Sequence, residues 1–187
     1  MNLRRKILLI YCFLFLFFFH TNCKKNTALR IDKEKESGSQ ISLRKFSRIS
    51  YNEEGKKQWK LNAVESFIYP KEDRSIFYGL DFNQYDGGKL TSELSSDRGE
   101  VNHSTKKLSL KGNIFLITPD KKSLKTQTLE YDINTEELTT DDDVKIYSSG
   151  TFISGKGLRA KKALNQFTVL KPTAITQGGE NPFKKDR

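Results

Sequence analysis

The chain holds few side chains able to do chemistry. Its histidines are His20 and His103, and its cysteines are Cys12 and Cys23. His103 sits in a polar Asn102-His103-Ser104 turn with no thiol and no serine elbow beside it, so a surface histidine is expected. Ser104 and Lys107 have the S-x-x-K spacing of a serine nucleophile with a lysine base, but the companion motifs of that signature are absent. The segment reads instead as a hairpin turn leading into Leu108. Asp141, Asp142 and Asp143 offer clustered oxygens to a cation, yet a calcium loop needs regularly spaced ligands and a late glutamate. A solvated turn between strands is expected there. Gly155-Lys156-Gly157 is a G-x-G with no helix after it to receive a phosphate, and it reads as a bulge or tight bend inside a strand. Neither an enzyme nor a cofactor or metal site is expected.

Both cysteines belong to a segment apart from the rest. Arg4, Arg5 and Lys6 precede an uncharged apolar run from Ile7 to Phe19. Such a helix rises ~1.5 Å per residue and would cover roughly 20 Å, short of a ~30 Å hydrocarbon core. The run therefore reads as a secretory leader. Cys23 follows it after His20-Thr21-Asn22, where a bacterial lipoprotein is cut and acylated, although Leu, Ala and Gly are the usual residues before that cysteine; the alternative is an uncleaved anchor. Residues 1–23 are thus leader or membrane anchor, 24–40 a flexible polar tether, 41–177 the folded domain and 178–187 a fraying tail. The formal charge of +10 falls to +7 without the three basic residues of the leader. This surplus suits anionic lipid headgroups or a membrane surface, against the ordinary reading of a solvated basic face. Export leaves no nucleic acid to bind.

What positions any site in this domain is a set of short strands. QWKLNAVESFIY (58–69) alternates apolar and polar residues, and similar patterns place strands near 41–49, 75–85, 90–96, 98–103, 106–111, 113–118, 124–133, 136–140, 143–147, 151–159, 165–171 and 173–177. The expected turns are 86–88, 102–104, Pro119-Asp120, Asn134-Thr135 and Asp141-Asp142. No helical period shows outside the leader, so the fold is all-β. The text also repeats itself at a spacing of thirty: Leu94 answers to Leu124, Glu100 to Glu130, Val101 to Tyr131, Leu108 to Leu138, Ile114 to Val144 and Leu116 to Ile146. A unit of that length is one long hairpin with its connection. Stacked hairpins make an elongated sheet with one apolar face. Trp59, Leu61, Phe67, Phe77, Leu108, Leu110, Ile114, Leu116, Leu129, Tyr131, Val144, Ile146, Phe167 and Val169 are expected mainly on that face. Alternation leaves two arrangements open: a closed sandwich core, or an open V-shaped sheet whose walls line a cavity for acyl chains.

The order of motifs carries a resemblance. A W-x-L-x-A strand (Trp59, Leu61, Ala63) is followed by Gly99 and Val101, then L-x-L-x-G-N-I (Leu108 to Ile114). Next come L-x-T and L-x-Y-D (Leu124, Thr126, Leu129 to Asp132), LTTDDDVKI (Leu138 to Ile146) and I-x-G-x-G-L (Ile153 to Leu158). Over roughly 41–177 this resembles the LptC family, the membrane-anchored periplasmic component of the lipopolysaccharide export bridge. The resemblance implies an open β-jellyroll, or β-taco, of antiparallel hairpins that shields the acyl chains of lipopolysaccharide and has no enzymatic activity. It implies that an edge at about 41–50, with Ile41, Leu43 and Phe46, docks on the inner-membrane ABC transporter (the periplasmic domains of LptF and LptG). A second edge at about 166–177, with Phe167, Val169 and Ile175, would dock on LptA. Lys106, Lys107 and Lys111 are candidates for holding lipid phosphates. The rival reading is a structural or adhesin-like surface lipoprotein with a closed β-sandwich core.

Overall fold

The computed structural model describes residues 36–161 and 163–178. The leader, Cys23, most of the tether and the tail from residue 179 lie outside the described residues. The domain is one sheet of nine antiparallel strands in simple sequence order: β1 (Ile41–Tyr51), β2 (Lys57–Tyr69), β3 (Arg74–Asp86), β4 (Lys89–Asn102), β5 (Lys107–Ile117), β6 (Ser123–Asp132), β7 (Glu137–Ser148), β8 (Thr151–Lys161) and β9 (Gln166–Gln177). A single turn of 3-10 helix, Pro70–Glu72, joins β2 to β3. The sheet does not close on itself, so β1 and β9 are its two edges.

Thirteen expected strands merge into nine because four expected breaks are bulges inside continuous strands. The pairing shifts between Ser95 and Arg98 in β4, Lys111 and Ile114 in β5, and Thr140 and Asp143 in β7. In β9 the break near residue 172 faces the shift between Ser154 and Gly155 of β8. Asp141 and Asp142 are therefore a bulge within β7 and not a turn between strands. Turn residues sit there because a bulge needs the same freedom from regular φ and ψ as a turn does.

These irregularities fall on one line. The ladder lapses at Lys45, Val64, Gly79, Asp97, Gly112–Asn113, Gln127, Asp141–Asp142, Gly157 and Leu170, one place in each strand from β1 to β9. Lys45, Gly79, Gly112, Asn113 and Gly157 have left-handed backbone there. Together they crease the sheet across all nine strands and divide it into two walls.

Each wall carries rows of inward side chains, and the rows farther from the crease show the thirty-residue repeat. On the first wall the cross-strand partners run Arg48, Leu61, Phe82, Leu94, Leu116, Leu124, Ile146, Ile153 and Ile175. On the second they run Ile41, Ile68, Ser75, Val101, Leu108, Tyr131, Leu138, Ala160 and Phe167. Advancing thirty residues crosses two strands and returns to the same row, which is why Leu94 echoes Leu124 and Val101 echoes Tyr131.

Candidate functional site

The two walls face each other across the interior. Phe82 of the first wall meets Tyr131 of the second with ring centroids 6.4 Å apart. Gln84 donates from Nε2 to Oε1 of Glu136 at 3.4 Å, and Lys122 donates from Nζ to Oδ1 of Asn165 at 3.2 Å. Both hydrogen bonds bridge turns or strand ends of opposite walls.

Between the walls, at the β1–β4 end, lies a cavity of about 1010 Å3. Its apolar lining includes Phe46, Trp59, Leu61, Phe77, Phe82, Val101, Leu108 and Tyr131. Trp59 packs against Phe82 with ring centroids 6.3 Å apart and Phe46 against Phe77 at 5.6 Å, both pairs tilted. Arg48, Lys57 and Lys106 also line it, the first over the Trp59 ring and the second over the Tyr85 ring. Asp86, Asp120 and Glu136 complete the polar rim, with Asp120 tied to Lys122 at 2.9 Å. Hydrogen bonds from Thr118 and Lys122 hold the Asp120 carboxyl below the usual carboxylate range. Burial, then the Glu136 charge, pushes the Tyr131 phenol up to about 12.

At the other end the walls are packed together. Leu110, Ile114, Leu124, Leu129, Val144, Ile146, Leu158 and Leu164 are no more than 1% exposed. Among the described residues, no side chain of β7, β8 or β9 lines the cavity. The interior is thus neither wholly open nor wholly closed: the cavity at the β1 end runs into a packed core, and a second cavity of about 530 Å3, lined in part by Leu138, Ala160 and Phe167, lies at the β9 end.

The residues expected on the apolar face divide accordingly. Trp59, Leu61, Phe77, Leu108 and Tyr131 line the cavity. Leu110, Ile114, Leu116, Leu129, Val144 and Ile146 belong to the packed cluster, while Phe167 and Val169 are partly buried against it from the edge strand. Phe67 corrects the expectation. It pairs with Ile76, whereas its neighbour Ser66 pairs with inward Phe77, so Phe67 faces the outer side of the sheet. The crease at Val64 and Gly79 reverses which residues of β2 and β3 point inward, and simple alternation from Trp59 cannot register that.

On this outer side Phe67 stands edge-on to Tyr78 at 6.0 Å. The segment before β1 is bound here as well. Glu36 accepts hydrogen bonds from the hydroxyls of Tyr69 at 3.1 Å and Tyr78 at 2.6 Å, and Arg98 lies 3.6 Å from it. Burial and then the Glu36 carboxylate push both phenols up. The last residues of the expected flexible tether are therefore fixed to the domain.

Of the two edges, Ile41 and Leu43 are 44% and 39% exposed and face inward on β1, while Phe46 is partly buried. Ile175 is 62% exposed on β9. His103, expected on the surface, is partly buried in the β4–β5 turn: it lines the cavity, and its Nε2 is 2.9 Å from Ser75 Oγ. Ser104 bonds to Asp73, and Lys107 heads β5, so the S-x-x-K spacing does not form a dyad in the cavity. Of the lysines proposed for phosphates, Lys106 lines the cavity, whereas Lys107 and Lys111 are exposed and absent from its lining. The Asp141–Asp143 carboxylates do not converge: Asp142 accepts from Thr128 Oγ1 at 2.6 Å and Asp141 faces Arg159 at 3.5 Å.

Sequence reasoning missed Phe82, Val101 and Phe46 as lining residues. Phe82 and Val101 were legible as the cross-strand partners of Leu61 and Leu108, had the register been known. Phe46, expected at the edge, lines the cavity and packs against the core.

An open sheet creased into two apolar walls, with a free strand at each end, defines a β-jellyroll. The family described as lipopolysaccharide-assembly, LptC-related, matches residues 6–176, and the chain belongs to it. Its role lies in lipopolysaccharide transport. Among solved structures it is similar to LptH, described as the LptA homologous periplasmic component of the conserved lipopolysaccharide transport device from Pseudomonas aeruginosa. That likeness has a TM-score of 0.50 at 13% identity and covers 66% of this chain and 95% of the other. It is a likeness of fold. No curated protein sequence matches the chain.

Proposed function

We propose that this protein is a periplasmic carrier, tethered to the inner membrane by its leader or an acylated Cys23, that receives lipopolysaccharide and passes it on without catalytic chemistry of its own. Lipid would arrive from the ABC transporter, with the periplasmic domains of LptF and LptG docked on β1 at Ile41, Leu43 and Phe46. It would leave to LptA docked on β9 at Phe167, Val169 and Ile175. Free edge strands accept such partners by β-augmentation, which continues the interior from one protein to the next.

The observation that carries this reading is the pair of inward rows. They run from one free edge to the other, and they enclose a cavity with an aromatic and aliphatic lining at the β1 end. Acyl chains gain about 0.8 kcal/mol for each methylene taken out of water, so a continuous apolar path lets a lipid cross an aqueous space. The lipid phosphates would meet Arg48, Lys57 and Lys106 at the rim.

Trp59 is the single tryptophan of the chain and lines the cavity, so its emission reports on occupancy. Titration with lipopolysaccharide is expected to shift that emission to the blue in a saturable manner, with a truncated saccharide lacking acyl chains as the silent control. An unchanged spectrum at saturating lipid would remove the cavity from the account.

A further inference from the structure

We infer that Leu164, at the tip of the turn between β8 and β9, is a displaceable end wall that separates the receiving cavity from the packed half of the interior. This rests on the carrier reading and adds a gate to it. The cavity ends where two turns meet: Thr118, Pro119 and Asp120 from the β5–β6 turn, and Ala163 and Asn165 from the β8–β9 turn. Leu164 lies between two of those lining residues and is itself fully buried in the apolar cluster that joins cavity-lining Leu61, Leu108 and Tyr131 to packed Leu124, Ile146 and Leu158.

Three features make this contact one that can open. Ala163 and Leu164 both have left-handed backbone, at φ +49° and +66°, which costs energy in a residue with a Cβ. The turn is latched to the opposite wall by the hydrogen bond from Lys122 Nζ to Asn165 Oδ1 at 3.2 Å, and Lys122 has a second partner in Asp120 to fall back on. An acyl chain can also replace what Leu164 gives up, since apolar surface buried against one hydrocarbon is buried as well against another. Water and polar solutes cannot make that exchange. Leu164 therefore yields to an apolar chain and not to water, and it sets how far a chain reaches before the packed half must part.

The test uses the full chain in detergent with lipopolysaccharide and a compact aliphatic diazirine residue placed at Phe82, in the cavity, or at Ile146, beyond the wall. The wild-type background is expected to give lipid adducts at Phe82 and few at Ile146. Leu164→Ala should raise the Ile146 adduct, and Asn165→Ala, which leaves the packed cluster intact, should raise it about two- to fivefold for the loss of one exposed hydrogen bond. Wild-type adducts equal at both positions would overturn the gate. So would an Ile146 adduct unmoved by both substitutions. Absence of any adduct at Phe82 would overturn the carrier reading, and the gate with it.

Discussion

A Cβ built on Gly155 of β8 would lie 2.5 Å from the backbone carbonyl oxygen of Lys171 in β9. No side chain can occupy that position while β9 keeps its place, because the obstructing atom is backbone and has no rotamer to change. Gly155→Ala is therefore expected to loosen the edge strand in particular. Hydrogen exchange should accelerate in residues 166–177 and remain slow in β3 to β6. Unchanged protection of β9 would show that the edge absorbs the methyl.

The crease makes a related prediction for the other half of the sheet. Gly79 combines φ +58° with a Cβ position 2.7 Å from Val64 Cγ2, whereas Gly55, at φ +74°, has open space around it. Gly55→Ala should cost roughly 1 kcal/mol for the left-handed backbone alone, and Gly79→Ala visibly more. Urea midpoints of the two variants, measured side by side, check the ordering.

Packed and cavity-lining residues should differ in what truncation costs. Ile146→Ala and Leu158→Ala remove side chains that are wholly enclosed, and each is expected to lower stability by about 2–5 kcal/mol. Phe82→Ala faces an existing cavity and should lose less, although the side chain removed is larger. Equal losses at Phe82 and Ile146 would mean that the β1–β4 end is packed as tightly as the rest.

The Tyr131 phenol, raised to about 12 from its ordinary 10, links stability to alkaline pH. A folded-state value above the unfolded one gives a contribution that is complete below pH 10 and lost as pH rises towards 12. Two pH units correspond to roughly 2–3 kcal/mol. Tyr131→Phe should flatten the fall in stability across that window, with denaturant midpoints at several pH values as the readout.

Glu36 supplies a prediction about the tether. Glu36→Ala removes the acceptor of the Tyr69 and Tyr78 hydroxyls. Limited proteolysis is expected to cut sooner in the residues just before β1, while the melting transition of the domain shifts little.

Much of this architecture was legible because alternation survives between irregularities. The Leu108–Leu110 and Ile114–Leu116 pairs of β5 point inward on both sides of Gly112–Asn113, since a two-residue interruption preserves parity. In β2 and β3 it does not. The single lapse at Val64 and Gly79 turns Phe77 inward and Phe67 outward, a reversal invisible without the pairing register. The Asp141–Asp142 bulge has the composition of a turn, and composition alone cannot distinguish the two. The cavity itself was beyond the reach of periodicity, because Trp59 and Ile146 alternate alike and differ in whether an opposite wall fills the space before them. The His103–Ser75 bond was missed for a similar reason: β3 and the β4–β5 turn are adjacent in the sheet and distant in sequence.

The most direct test of the carrier account is photo-crosslinking in cells, with benzophenone residues at Trp59 and Phe82 and a control at Lys145, which is exposed in β7. Lipopolysaccharide adducts at the two cavity positions and none at Lys145 are the predicted result. Normal abundance of all three variants without adducts at Trp59 or Phe82, or adducts equally strong at Lys145, would contradict a lipid held between the walls.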